Sequence, residues 1–315
     1  MSAGQYHGRS VFTPHPAVVR EAQRIATSDG YVLGGALYHV PAQQTVDHAV
    51  LFSTGGGIKG EIYRYFAMYL AGAGVPTLVY DYRGIGWSRR GSLRGLRATF
   101  EDWSEYDCAA AASHLQRRFA GAQITCVAHS AGGMIALGAP TDGIFKQYVF
   151  IAPTTGFLGD FAMPWKPLLW IYNRHLMMWT ARAIGYFPQG RFGIDEDLPY
   201  GVAVQRATRT TPDVEDSSEQ WDLERLRKIK RNAKQARGPA MVLSASDDPW
   251  ATEDAVKRFI FMAPQLAPIR RKLVPDELGV PKLAHMGFFR RRYCALLWPM
   301  ALAFVVSSPL PAAVM

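Results

Sequence analysis

The segment ITCVAHSAGG, residues 124–133, contains the first residue with evident chemical potential. Ser130 stands where an apolar run gives way to a helical pattern, between the small residues Ala128, Ala131 and Gly132. A buried strand that turns at once into a helix lifts the turn side chain above the sheet. It also aims the helix's first N–H groups at that side chain. The turn is tight, so a neighbour larger than glycine or alanine would clash with the adjoining strand and helix. The pattern is G-x-S-x-G with Ala128 in the first glycine position.

A serine hydroxyl attacks a carbonyl only when a base takes its proton. The downstream sequence supplies the partners in the order such an elbow uses, acid before histidine. Asp247 and Asp248 follow the apolar run AMVLSA, and His285 lies in LAHMGFF. His285 would accept the Ser130 proton, and a carboxylate would fix the imidazole tautomer and stabilise the imidazolium. Asp248 is preferred because it aligns with the acid of the common strand–G-x-x-D-P pattern. Asp247 stays open as the alternative. His129, next to the serine, reads as a packing residue.

The oxyanion formed on attack needs two N–H donors. Ala131, directly after the serine, is one. The other belongs to the loop after HAVLFS, where Gly55-Gly56-Gly57 lets backbone approach a substrate closely. Gly57 is favoured, with Gly56 and Ile58 as neighbours able to do the same. Each such donor is worth roughly two to three orders of magnitude in rate.

Several elements must position these residues. Apolar runs at 31–40, 48–53, 76–81, 124–129 and 148–152 read as strands. They alternate with helical patterns at about 60–73, 101–118 and 131–138. Runs apolar throughout and alternating with helices imply a mostly parallel sheet covered on both faces. After Pro153 the rhythm breaks, and residues 154–237 carry bulky amphipathic stretches with no strand signal. The alternation returns with a strand at 240–246, a helix at 251–262, a strand near 269–274 and a closing helix at 291–306. The expected organisation is a doubly wound α/β core over 20–153 and 238–307. A helical cap over 154–237 would cover the sheet edge where such folds bind ligands.

The sequence resembles the α/β-hydrolase superfamily across roughly residues 25–306. Beside the elbow it has Asp81-Tyr82-Arg83-Gly84-Ile85-Gly86-Trp87-Ser88, similar to that superfamily's D-x-R-G-x-G-x-S loop. More narrowly, YDYRGIGWS, AHSAG, DDPWA and HMGFFR resemble a set of little-characterised bacterial α/β-hydrolases. The resemblance implies a serine hydrolase that cleaves an ester or related acyl bond through an acyl-enzyme, with no metal or cofactor. Acyl transfer, peptidase or C–C hydrolase chemistry would use the same site. A non-catalytic binding protein would have no need of the full Ser, Asp and His set.

The bulk numbers agree with a globular enzyme. The chain has 315 residues, 49% hydrophobic and 19% charged, with a formal net charge of +9. Cys108, Cys126 and Cys294 have no metal or disulfide spacing. Gly55–Gly57 lacks both phosphate-binding glycine motifs. The basic run from Arg225 to Arg237 has no interleaved aromatics and reads as a solvated helix, so no nucleic-acid partner is expected. No secretory signal is read at the N-terminus, and WPMALAFVVSSPLPAAVM is too broken by Pro and Ser for stable membrane insertion. A cytoplasmic location is expected, a homodimer is possible, and the Trp- and Met-rich cap favours a small apolar acyl substrate.

Overall fold

The computed structural model describes residues 12–192, 196–212 and 222–307. Its centre is an eight-stranded sheet built from β1 (Val19–Ala26), β2 (Val32–His39), β3 (His48–Ser53), β4 (Thr77–Tyr80), β5 (Gln123–His129), β6 (Phe145–Ile151), β9 (Ala240–Ala245) and β10 (Ile269–Leu273). Strand order is β1-β2-β4-β3-β5-β6-β9-β10. The first two strands pair antiparallel and β2 meets β4 antiparallel, while every later pairing is parallel. Parallel strands need crossover helices on the faces, so β3 to β6 are buried on both sides and are apolar almost throughout. β1 was not expected. Its sequence VREAQRIA buries only Gln23 and Ile25, so an edge strand of this kind has no apolar period to read.

Two apolar cores form, one on each face of the sheet. Helices α1 (Arg64–Gly72) and α10 (Cys294–Val306) pack on one face, where Phe66 meets Trp298 edge-on. The other face is covered by α3 (Ala109–Arg118), α4 (Gly132–Gly138), α8 (Leu223–Gln235) and α9 (Glu253–Phe261). A short α2 (Phe100–Asp102) enters α3 through a π turn, Trp103–Cys108. That turn presents Trp103, Ser104 and Asp107 inward together, and Trp103 stacks on Tyr82 with centroids 4.7 Å apart.

The D-x-R-G-x-G-x-S loop is a structural staple. Asp81 is fully buried and accepts the N–H groups of Gly60 at 2.6 Å and Trp87 at 2.8 Å. Arg83 forms ion pairs with both Asp29 and Asp107. Burial pushes the Asp81 carboxyl up to about 6. Its folded-state pKa therefore lies above the unfolded value, and ionising it costs the fold stability as pH rises from about 4 to about 6. A ¹³C titration of the Asp81 carboxyl should show a midpoint near 6. A midpoint near 4 would mean that its two backbone donors fully offset burial.

Between β6 and β9 lie α5 (Lys166–Ile171), α6 (Met178–Ile184), the two-residue strands β7 (Tyr186–Phe187) and β8 (Leu198–Pro199), and α7 (Tyr200–Ala207). The β7–β8 ladder breaks the all-helical expectation for 154–237, since two-residue strands leave no periodic signal. The boundary expected at 237 also falls after α8, yet α8 lies against α4 on the sheet. A Cβ on Gly138 would meet Ile229 at 2.5 Å, and Asn232 donates to the Gly138 carbonyl. The expected solvated helix is half right: Leu226, Ile229 and Ala233 are buried beneath an exposed basic face. Residues 193–195 and 213–221 of the expected cap lie outside the described residues, as do the two ends of the chain, 1–11 and 308–315.

Candidate active site

Ser130 follows the last residue of β5 with φ +54°, a left-handed conformation that a serine adopts only under constraint. The constraint is visible on both sides. The Ser130 N–H donates to Ile151 at the end of β6. The following helix presses so close to β3 that a Cβ on Gly132 would sit 2.3 Å from the Thr54 carbonyl oxygen. Ala128 is completely buried in the core, so its methyl is accommodated where glycine is usual. Gly132 has no such room. Gly132→Ala should lower stability by about 2–4 kcal/mol, because backbone and not a flexible side chain must move. Chemical denaturation would check this, and a loss under about 0.5 kcal/mol would mean the elbow is more pliable than its contacts imply.

The structure brings Ser130, His285 and Asp248 together. Ser130 Oγ lies 2.9 Å from His285 Nε2, and His285 Nδ1 lies 2.7 Å from Asp248 Oδ2. All three are buried. A carboxylate can only accept, so Nδ1 carries the proton and Nε2 is left to accept from the serine hydroxyl. Asp248 Oδ1 accepts the N–H groups of Trp250 and Ala251. Burial alone would raise this carboxyl. The His285 ring and the two backbone donors outweigh it and hold the group below the usual carboxylate range. Asp247 points elsewhere: its two oxygens accept the N–H groups of Leu283 and Ala284, each at 2.9 Å. Ala284 has φ +49°, so Asp247 pins a strained backbone directly before His285.

His129, read as packing from sequence, belongs to a directed hydrogen-bond chain. Its Nε2 lies 3.1 Å from the His285 carbonyl and must donate there. Its Nδ1 then accepts from the Tyr63 hydroxyl at 2.9 Å, and Tyr63 accepts the Gly55 N–H at 3.0 Å. The chain ties the glycine loop after β3 to the backbone of His285. Burial holds His129 well below its ordinary pKa, so it stays neutral. Tyr63→Phe leaves the Gly55 N–H and His129 Nδ1 without these partners in a buried site. We expect kcat to fall about tenfold with KM little changed. An unchanged kcat would show that the glycine loop holds its shape without the hydroxyl.

A cavity of about 70 Å³ opens over Ser130, lined by Gly56, Ile58, Ala131, Met134, Trp250 and His285 among others. Gly57 does not line it. Gly55 to Ile58 form a turn closed by the Ile58 N–H on the Gly55 carbonyl, and Gly57 supplies the left-handed residue at φ +86°. Its Cβ direction points at Leu198. Ile58 lines the cavity, but that same turn occupies its N–H. Among the described residues the Gly56 and Ala131 N–H groups have no protein acceptor. A larger chamber of about 340 Å³ adjoins, sharing Phe100, Met134, Thr155 and Arg209. Gln205, Arg206 and Arg209, at and just after the end of α7, reach the first cavity. Sequence reading missed them, since polar residues near a helix end are indistinguishable from a solvated surface. No group of His, Cys, Asp and Glu among the described residues could hold a metal ion.

A mostly parallel sheet with a strained serine elbow at its carboxyl edge, and a loop histidine and strand-end acid converging on it, defines an α/β architecture of the hydrolase type. Residues 50–295 match the model of the alpha/beta hydrolase family, and the chain belongs to that family. No curated protein sequence matches it. Solved structures with the same fold include a puromycin hydrolase, at TM-score 0.58 and 18% identity over 92% of this chain and 40% of that one. They also include brefeldin A esterase, described as a bacterial homologue of human hormone sensitive lipase, at 0.59 and 17% over 96% and 81%. DcsB, solved with a substrate analogue, matches at 0.59 and 15% over 91% and 99%. The chain spans about two fifths of the puromycin hydrolase's length.

Proposed function

We propose that this chain is a serine hydrolase acting on an ester or related acyl bond of a small molecule with an apolar acyl group. The observation that carries this is the hydrogen-bond chain from Ser130 through His285 to Asp248, closed in a cavity with two unengaged backbone donors beside the serine. Ser130 attacks the carbonyl carbon while His285 Nε2 takes its proton, and Asp248 steadies the imidazolium. We assign the oxyanion to the N–H groups of Ala131 and Gly56, in place of Gly57. His285 then protonates the leaving alkoxide, and water repeats the sequence to release the acid.

The adjoining chamber supports an apolar acyl group. Met134, Ile135, Leu226, Ile229, Phe261 and Met262 contribute to its wall. A fluorophosphonate probe should label the wild type and not Ser130→Ala. Across p-nitrophenyl esters graded by acyl length, kcat/KM should rise from acetyl toward medium chains, then fall once the chamber is full. Failure of the probe to label would sink the serine mechanism. A preference for the matching anilides would move the reading to a peptidase, the activity named for one of the shared-fold structures.

A further inference from the structure

The helical run from 166 to 184 carries an apolar face that no described residue covers. Trp165, Leu168, Ile171, Leu176 and Trp179 are 56%, 60%, 55%, 43% and 60% exposed. They follow one another at steps of three, three, five and three. The step of five falls in the π turn Tyr172–Met177, where the helix advances by five residues per hydrogen bond, so the stripe stays on one side. Met163, just before the helix, and Trp170 are exposed as well. The opposite side, with Asn173, Met177, Met178 and Ala181, is buried in the cap. So many large exposed apolar residues on one helix are unusual for a surface that faces water alone.

We propose that this face is a docking surface for an anionic lipid bilayer, on which the helix lies in the plane of the headgroups. Three observations select that occupant. First, from 161 to 192 the sequence contains no Asp or Glu, while Lys166, Arg174, Arg182 and Arg191 all fall within it. Among the described residues Lys166, Arg174 and Arg182 have no acidic partner, and Arg182 lies over the Trp179 ring. Apolar residues flanked only by cations match an acyl boundary beneath anionic headgroups. Second, tryptophan prefers an environment wet at one end and apolar at the other, and three tryptophans cluster here. Third, a second copy of the chain fits poorly. A two-fold interface sets the same patch against itself, which would bring these cations together with no acid to meet them.

No helix among the described residues is long and apolar enough to cross a membrane, which agrees with a helix that lies flat. The docked element also adjoins the cavity over Ser130. α6 and the π turn pack against α7, which contributes Gln205 and Arg206 to the cavity wall.

Flotation of the full chain with vesicles tests this without reference to catalysis. Vesicles of phosphatidylcholine mixed with phosphatidylglycerol should bind at least about tenfold more tightly than phosphatidylcholine alone, and added salt should weaken the binding. Trp165→Ser with Trp179→Ser should lower binding by about tenfold or more. Arg174→Gln with Arg182→Gln should lower it by about twenty-five-fold, roughly fivefold per charge. These side chains are on the surface, so thermal unfolding should be unchanged. If the tryptophan pair folds poorly, the arginine pair decides alone. Absence of enrichment on anionic vesicles overturns the proposal, as does wild-type binding by the folded variants. A dimer in ultracentrifugation that the tryptophan variant loses would give the face to a second copy. Ester hydrolysis without vesicle binding would overturn only this inference, and vesicle binding without hydrolysis would overturn only the serine mechanism.

Discussion

Ser130→Ala should lose about five to six orders of magnitude in kcat on the best ester, while unfolding within about 1 kcal/mol of the wild type. The loss follows from removing the hydroxyl that lies 2.9 Å from His285 Nε2. Residual turnover would come from the two oxyanion donors acting on water-driven hydrolysis. Stability is spared because the substitution removes one hydrogen bond and leaves the φ +54° backbone as strained as before. Ser130→Gly would be equally inactive and should be the more stable of the two by about 1 kcal/mol, since glycine adopts that conformation without a Cβ penalty. Turnover above about 1% of wild type in Ser130→Ala would mean another group attacks the carbonyl. A glycine variant no more stable than the alanine variant would mean the elbow stores no appreciable strain.

Much of this was legible because the chemistry needs local sequence. A strand buried on both faces must be apolar, so ITCVAH announces itself, and the turn after it admits only small residues beside Ser130. The strand AMVLSA likewise fixes where an acid can stand. What escaped the sequence depends on contacts between distant segments. β1 is an edge strand with a polar outer face, and its existence rests on pairing with β2. The link from Gly55 through Tyr63 and His129 to His285 joins four segments, and nothing in the spacing of those residues signals it. We propose Gly56 in place of Gly57 as the oxyanion donor for a reason visible only in the turn. Three consecutive glycines look equivalent in sequence, but Gly57 takes the left-handed position of the turn while Gly56 lines the cavity over Ser130.

The paired acids after β9 give the second large effect and the most discriminating comparison. Asp248→Asn should lower kcat by about 10⁴-fold while the loop stays folded. An asparagine oxygen can still accept the N–H groups of Trp250 and Ala251, so the loop keeps its shape. Its amide would then face His285 and donate to Nδ1. That puts the imidazole proton on Nε2, where it cannot take one from Ser130. The variant also removes a stabilising carboxylate. Because Asp248 sits below the usual carboxylate range, its contribution is complete above about pH 4 and is lost as the pH falls through its folded value. Acid unfolding of Asp248→Asn should therefore be flatter below pH 4 than that of the wild type. Asp247→Ala should behave oppositely. It orphans the N–H groups of Leu283 and Ala284 and should cost about 1–3 kcal/mol of stability. Its kcat should fall only about 10- to 100-fold, because His285 is misplaced but still paired. Two adjacent aspartates would thus separate into one that sets a tautomer and one that holds a strained loop. If Asp247→Ala instead matched Asp248→Asn in kcat while keeping full stability, the acid of the site would be Asp247, and the 2.7 Å contact to Asp248 would be a resting arrangement.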